Sequence, residues 1–136
     1  MIVRSARPHE LGAILDLWTE TGLGLRPTDA PGSLERLLET DPDALLVAEE
    51  DGLIVGTLIA AWDGWRGNLY RLGVLPEFRR RGIGTDLVRE GERRIAAKNA
   101  VRIVSAVGVE REGADDFWHS VGYEVDASAT RFVKNL

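Results

Sequence analysis

Apolar and polar positions follow two periods along the chain, and the change of period marks the predicted elements. Short runs of branched apolar residues predict strands, whereas apolar residues three or four apart predict helices. The N-terminal half contains, in order, a strand at 1–6, a helix at 9–21, a short helix at 34–39 and strands at 44–50 and 53–62. Ser33 is the expected N-cap of the short helix. Asp51-Gly52 between the two strands predicts a tight hairpin.

The C-terminal half is predicted to hold a strand at 68–74, a long amphipathic helix at 82–97, a strand at 101–109, a short helix at 113–121 and strands at 123–125 and 130–133. In the long helix, Glu90 stands one turn before Arg94, and apolar or small residues recur every fourth position: Ile83, Leu87, Gly91 and Ile95. The apolar run at 101–109 indicates a strand buried on both faces. We therefore expect an α/β fold, with a mixed sheet of about six or seven strands and about four flanking helices in one domain over residues 1–136.

Composition narrows the possible functions. The chain has 136 residues, of which 44% are hydrophobic and 29% charged, as expected for a globular protein. It contains no cysteine, which excludes disulfides and thiolate chemistry. A net charge of -5 argues against nucleic acids and anionic membranes as partners. With neither a signal-peptide pattern nor a long apolar run, we expect a cytoplasmic protein.

The segment at residues 72–85, LGVLPEFRRRGIGT, departs from the usual start of a helix. It joins a strand to the long helix through Arg79, Arg80, Arg81 and two glycines, with no short polar cap before Thr85. The free N–H groups give the start of a helix a partial positive charge. Three arginines beside it would repel this charge unless an anion were bound. A phosphate or pyrophosphate ligand resolves this conflict, and glycine allows close main-chain approach.

Two common phosphate-binding motifs do not fit this segment. No GK[ST] follows, which excludes a Walker phosphate loop, and Asp86 and Leu87 after Thr85 exclude a dinucleotide-binding GxGxxG. The remaining structural alternative is a solvated arginine loop in which the glycines only ease helix packing.

The segment resembles the signature of the Gcn5-related N-acetyltransferase family. Arg79 is followed by two residues, Gly82, one residue and Gly84, and the order of predicted elements resembles the family over nearly the whole chain. The resemblance implies an acyl-CoA N-acyltransferase fold and transfer of acetyl from acetyl-CoA to an amine by direct attack in a ternary complex, without a metal. It also implies a primary amine of a small molecule or peptide as acceptor, and a possible homodimer.

The resemblance also implies roles for particular residues. Main-chain amides of the loop would hold the coenzyme A pyrophosphate, and the preceding strand would pair with the pantetheine arm. That strand would separate from the strand at 101–109, with the thioester in the gap. The implied cofactor-binding residues are Leu72, Gly73, Val74, Arg79, Arg80, Arg81, Gly82, Ile83, Gly84 and Thr85.

The acid and base of the reaction are less clearly encoded. Trp118 occupies the position where many members of the family carry a tyrosine that acts as the general acid for the departing thiolate. Arg111 stands where many members have asparagine. Because an indole N–H only donates, we take Tyr70 as a candidate donor to the sulfur and Asn68 as a candidate holder of a relay water. Alternation would place both on the strand face of Leu72. The coenzyme A thiol has a pKa near that of Cys, about 8.5, so its thiolate would also leave without full proton transfer from an acid.

Two further hypotheses follow. Trp62, Asp63, Trp65 and Arg66, with Trp18, would line a pocket for a cationic amine, or would simply pack the core and the turn. Because the usual tyrosine is missing, the alternative function is a non-catalytic acetyl-CoA sensor or interaction module.

Overall fold

The computed structural model describes residues 1–107 and 113–136. They form two compact units, Met1–Ala106 and Val107–Leu136. The first unit contains, in chain order, β1 (Ile2–Ser5), α1 (Leu11–Glu20), α2 (Pro31–Thr40), β2 (Leu45–Glu50), β3 (Leu53–Trp62), β4 (Gly67–Val74), α3 (Ile83–Ala96) and β5 (Ile103–Ser105). The second contains α4 (Ala114–Ser120). That residues 1–136 form one domain stays a prediction.

The described strands form one mixed sheet in the order β1-β2-β3-β4-β5. The first three neighbouring pairs are antiparallel, and β4 runs parallel to β5. Asp51 and Gly52 form the predicted hairpin turn, both at positive φ. The mixed α/β architecture is therefore confirmed, while the described part of the chain has five strands rather than six or seven.

Helices α1 and α3 cover opposite faces of the sheet. Trp18 of α1 donates from Nε1 to Thr57 Oγ1 at 2.8 Å, whereas a Cβ on the neighbouring Gly56 would touch Ile83 and Leu87 of α3. Successive strand residues point to opposite faces, so each face has its own helix. The predicted apolar side of α3 is buried, and Arg94 Nε donates to Glu90 at 2.9 Å as predicted.

Three sequence-based expectations are wrong. The runs at 123–125 and 130–133 form no strand: Val125 and Phe132 are 74% and 92% exposed, and strand propensity without a ladder partner does not fix a strand. The strand β5 is not buried on both faces, since Val104 is 40% exposed. Ala30 rather than Ser33 precedes α2, because Pro31 occupies its first turn.

Two further predictions are the end of the strand after α3 and the absence of a segment that crosses a membrane. Residues 108 and 109, the predicted end of the strand after α3, lie outside the described residues. The described part of the chain contains no helix with the length and hydrophobicity needed to cross a bilayer.

Candidate active site

The strand β4 contains a β-bulge at Arg71 and Leu72, where the predicted cofactor residues begin. Thr57 pairs with Gly73 and Ile59 with Tyr70, so Leu58 stands opposite two residues, Arg71 and Leu72. Arg71 has a φ of 57°. A bulge inserts one residue and reverses the alternation of side chains beyond it.

The bulge corrects the predicted strand face. A Cβ on Gly73 would touch Leu17, Thr21 and Leu23, which places Gly73 on the α1 face. Tyr70, paired with Ile59, lies on this same face, and Leu72 lies on the other. The expectation that Asn68, Tyr70 and Leu72 share one face is wrong, because the extra residue shifts the register. Gly73 is also needed for the packing of α1, independently of any ligand.

The loop from β4 to α3 leaves its main chain open. Gly82 precedes α3 as its N-cap with a φ of 81°, and no side chain caps the helix. Arg80 also has a positive φ, of 64°. The first helical bond runs from Asp86 N to Gly82 O, at 3.0 Å. Among residues 1–107 and 113–136, no atom accepts a hydrogen bond from the main-chain N–H groups of residues 80–85.

Space for a ligand exists at the same place. A Cβ built on Gly82 would meet no heavy atom within 4 Å, so the main chain there is accessible. Ile83 points its side chain into the core, being only 3% exposed, and offers its N–H alone. Gly84 and Thr85 complete the first turn and are half-buried. Six consecutive N–H groups at the positive end of a 14-residue helix form an arrangement that favours a phosphate-like anion.

The three arginines of the loop behave differently. Arg79 Nε donates to Val74 O at 3.0 Å, which ties the loop to the end of β4. Arg81 donates to Glu77 O at 3.2 Å and lies 5.0 Å over the ring of Phe78. All three are exposed. Arg79 and Arg81 therefore shape the loop through their side chains, and Arg80 adds positive charge beside the N–H groups.

The catalytic candidates on β4 have different environments. Asn68 Nδ2 donates to Asp63 at 3.4 Å and to Arg66 O at 3.3 Å, so the donor side of its amide faces the preceding turn. Its amide oxygen can then accept a hydrogen bond. Tyr70 is 42% exposed and is accessible to a ligand on the α1 face.

The hypothetical aromatic pocket is not assembled as a unit. Trp18 is fully buried and serves the core. Asp63 accepts from the main-chain N–H groups of Trp65 and Arg66, at 2.8 and 2.7 Å, and these bonds lower its pKa. Trp65 is 69% exposed and is covered by the Arg66 guanidinium at 4.1 Å. Trp18 therefore packs the core, Asp63 is the internal cap of the turn, and Trp65 lies at the surface beside Arg66.

The second unit contains the position of the expected tyrosine. In α4, Trp118 is 9% exposed and makes edge-to-face contacts with Phe117 and Tyr123, at ring-centroid distances of 5.4 and 5.0 Å. These contacts hold the indole in an aromatic cluster. Arg111 lies outside the described residues.

A comparison with protein-family models decides the family. Residues 11–123 match the model described as the acetyltransferase (GNAT) family. The chain belongs to the GNAT family. The resemblance predicted from residues 72–85 is thereby confirmed, and with it the assignment as an acetyltransferase.

Individual relatives agree with this assignment. This GNAT chain is 37% identical over 125 residues to an acetyltransferase of Pectobacterium atrosepticum, covering 91% of this chain and 88% of that one. Its fold is similar to Ard1 from Thermoplasma volcanium, with a TM-score of 0.81 at 18% identity over 93% and 84% of the two chains. It is also similar to AAC(6')-Iy, solved with the bisubstrate analogue CoA-S-monomethyl-acetylneamine, with a TM-score of 0.79 at 20% identity over 99% and 98%.

Proposed function

We propose that this chain transfers the acetyl group of acetyl-CoA to a primary amine of a small molecule or peptide. The observation that carries the proposal is the uncapped loop at residues 80–85, whose main-chain N–H groups have no acceptor in the described chain and whose central glycine is open to solvent. Family membership supplies the reaction class. Further support comes from AAC(6')-Iy, a protein of similar fold that binds a bisubstrate analogue containing CoA.

The pyrophosphate of acetyl-CoA would bind at this loop. Gly82, Ile83, Gly84 and Thr85 would donate main-chain N–H bonds from the helix end, and Arg80 would contribute charge. Such hydrogen bonds to a charged oxygen contribute about 1.5–3 kcal/mol each. Arg79 would act indirectly, by holding the loop on Val74 O. The open space beside Gly82 fits a phosphate in close contact with the main chain.

The pantetheine arm would follow β4 along Leu72, Gly73 and Val74. Arg79 already occupies one lone pair of the Val74 carbonyl, so the arm would use the remaining main-chain groups of these residues. In this arrangement the acetyl group would lie toward Tyr70. A gap between β4 and the continuation of β5 stays a prediction, because their described ladder ends at Leu69–Ser105 and the residues at 108–112 are not described.

The reaction would proceed by attack of the neutral amine on the acetyl carbonyl. A C–N bond forms, the C–S bond breaks, and the amine proton passes to solvent or a relay water. The amide oxygen of Asn68 would accept a hydrogen bond from the amine or from that water, and the Tyr70 hydroxyl would donate to the departing sulfur. An amide oxygen does not titrate near neutral pH, so Asn68 would orient the proton donor rather than act as a base.

Two measurements test this function and separate it from a non-catalytic sensor. Calorimetry with coenzyme A tests binding, and thiol release from acetyl-CoA is followed with neamine, spermidine and short peptides bearing a free amino terminus. An acetyltransferase binds coenzyme A and releases thiol above the amine-free rate. A sensor binds coenzyme A but releases none, and absence of coenzyme A binding refutes both functions.

A further inference from the structure

Arg71 stands at the bulge of β4, between Tyr70 and Leu72. The proposed function assigns Tyr70 to the departing sulfur and Leu72 to the pantetheine arm. Arg71 is only 12% exposed and forms an ion pair with Asp29, which is 5% exposed. Its Nε donates to Asp29 Oδ1 at 3.1 Å, and Nη2 donates to Oδ2 of the same carboxylate. Its Nη1 donates to Leu23 O at 3.1 Å. One planar guanidinium thus bonds both ends of the segment 23–29, which joins α1 to α2.

Arg71 anchors this segment together with Leu23, whose side chain lies against Gly73 and whose N–H donates to Trp18 O at 3.1 Å. Leu25 is 59% exposed, so burial of its side chain contributes little to holding the segment. Within the segment, Arg26 N donates to Asp29 Oδ2 at 2.5 Å and Asp29 N donates to Arg26 O at 2.9 Å, which closes a local turn around the carboxylate. Removal of Arg71 would leave the charge of Asp29 buried without its counter-ion, and this cost is relieved when the segment moves into solvent or the carboxylate takes up a proton.

The main-chain carbonyl of Arg71 is fixed by Thr57 of the neighbouring strand β3. Thr57 Oγ1 donates to Arg71 O at 3.0 Å and accepts the indole N–H of Trp18 at 2.8 Å. The guanidinium also lies 5.2 Å from the centre of the Trp18 ring. The bulge, the buried tryptophan and the segment 23–29 are therefore joined through a single residue, whose unusual φ is stabilised by these contacts.

We propose that Arg71 is a positioning residue: it fixes the segment 23–29 on the α1 face of the sheet, beside Tyr70, and thereby sets how the acceptor amine reaches the acetyl group. This inference rests on the proposed function, which places the thioester near Tyr70. The side-chain bonds of the pyrophosphate loop run from Arg79 to Val74 O and from Arg81 to Glu77 O and do not involve Arg71, so Arg71 affects binding of the amine more than binding of coenzyme A.

The variants Arg71→Met and Arg71→Lys test this role, with Arg94→Met as the matched control. Arg94 is 18% exposed and bonds both a carboxylate, Glu90, and a main-chain oxygen, Asp43 O, but on the α3 side. We expect Arg71→Met to raise KM for the most active amine of the panel about tenfold or more, and to change the calorimetric Kd of coenzyme A less than about twofold. Lysine, which lacks the planar fork, should restore this only in part.

Hydrogen exchange of the amides at 23–30 gives a second readout that needs no acceptor. Arg71→Met should accelerate exchange there about tenfold relative to the other loops, whereas Arg94→Met should not. Unchanged exchange in this segment, or a loss of coenzyme A affinity as large as the rise in amine KM, overturns the proposal. If the wild type releases no thiol with any amine, the proposed function fails, while the exchange data still decide whether Arg71 anchors the segment.

Discussion

Replacing Gly82 by valine separates ligand binding from backbone strain. Gly82 has a φ of 81°, and Gly52 at the tip of the β2–β3 hairpin has a φ of 79°. A Cβ at either position meets no heavy atom within 4 Å. A side chain in this left-handed region costs about 1–2 kcal/mol, so Gly82→Val and Gly52→Val should lower the free energy of unfolding by similar amounts.

The two variants should differ in their affinity for coenzyme A. A valine at position 82 would fill the open space beside the N–H groups of residues 80–85 and keep the pyrophosphate away from them. Loss of two charge-assisted hydrogen bonds costs about 3–6 kcal/mol. This corresponds to a Kd raised about 100-fold or more, whereas Gly52→Val leaves Kd unchanged.

The assay is isothermal calorimetry with coenzyme A on both variants, after chemical denaturation has shown that each is folded. The graded variant Gly82→Ala, with a smaller side chain, should give an intermediate Kd. Equal affinities for Gly82→Val and Gly52→Val would refute the assignment of the pyrophosphate to this loop.

Two further predictions concern stability. Thr57→Val should lower the free energy of unfolding by about 2–4 kcal/mol, because it removes the hydrogen bonds of the buried Thr57 hydroxyl to Trp18 and Arg71. Thr57→Ser keeps the hydroxyl and should retain most of the wild-type stability. Equal urea midpoints for the two variants would contradict this. Hydrogen bonding to Arg4 lowers the pKa of Glu10 from 4.5 to about 2, so its stabilisation is present above pH 4.5 and is lost as the pH falls toward 2. Urea unfolding across this range should show about 2 kcal/mol less acid-dependent loss in Glu10→Gln than in wild type, and identical pH slopes would rule out the pair as a contributor.

Local pattern predicted most of the first unit. The boundaries of β3 agree with the prediction, and those of α3 differ by one residue at each end. Hydrophobic period and turn chemistry are encoded within a few residues, which explains this success. The uncapped start of α3 was also visible, since it depends only on the absence of Ser, Thr, Asp or Asn between Arg79 and Gly84.

The features that local pattern missed depend on distant partners. The bulge at Arg71 arises from pairing with β3, and the Arg71–Asp29 ion pair joins residues 42 positions apart. A lone arginine in a strand carries no signal of its partner, although its position between Tyr70 and Leu72 in the middle of a strand was the available hint. The runs at 123–125 and 130–133 show the converse, since strand propensity alone was insufficient.

The most direct test of the proposed cofactor site is a crystal structure of the protein with acetyl-CoA at saturating concentration. We expect diphosphate oxygens about 2.9 Å from main-chain nitrogens between residues 80 and 85, at the start of α3. A cofactor whose diphosphate lies elsewhere, with those N–H groups bound only to water, would contradict the proposal.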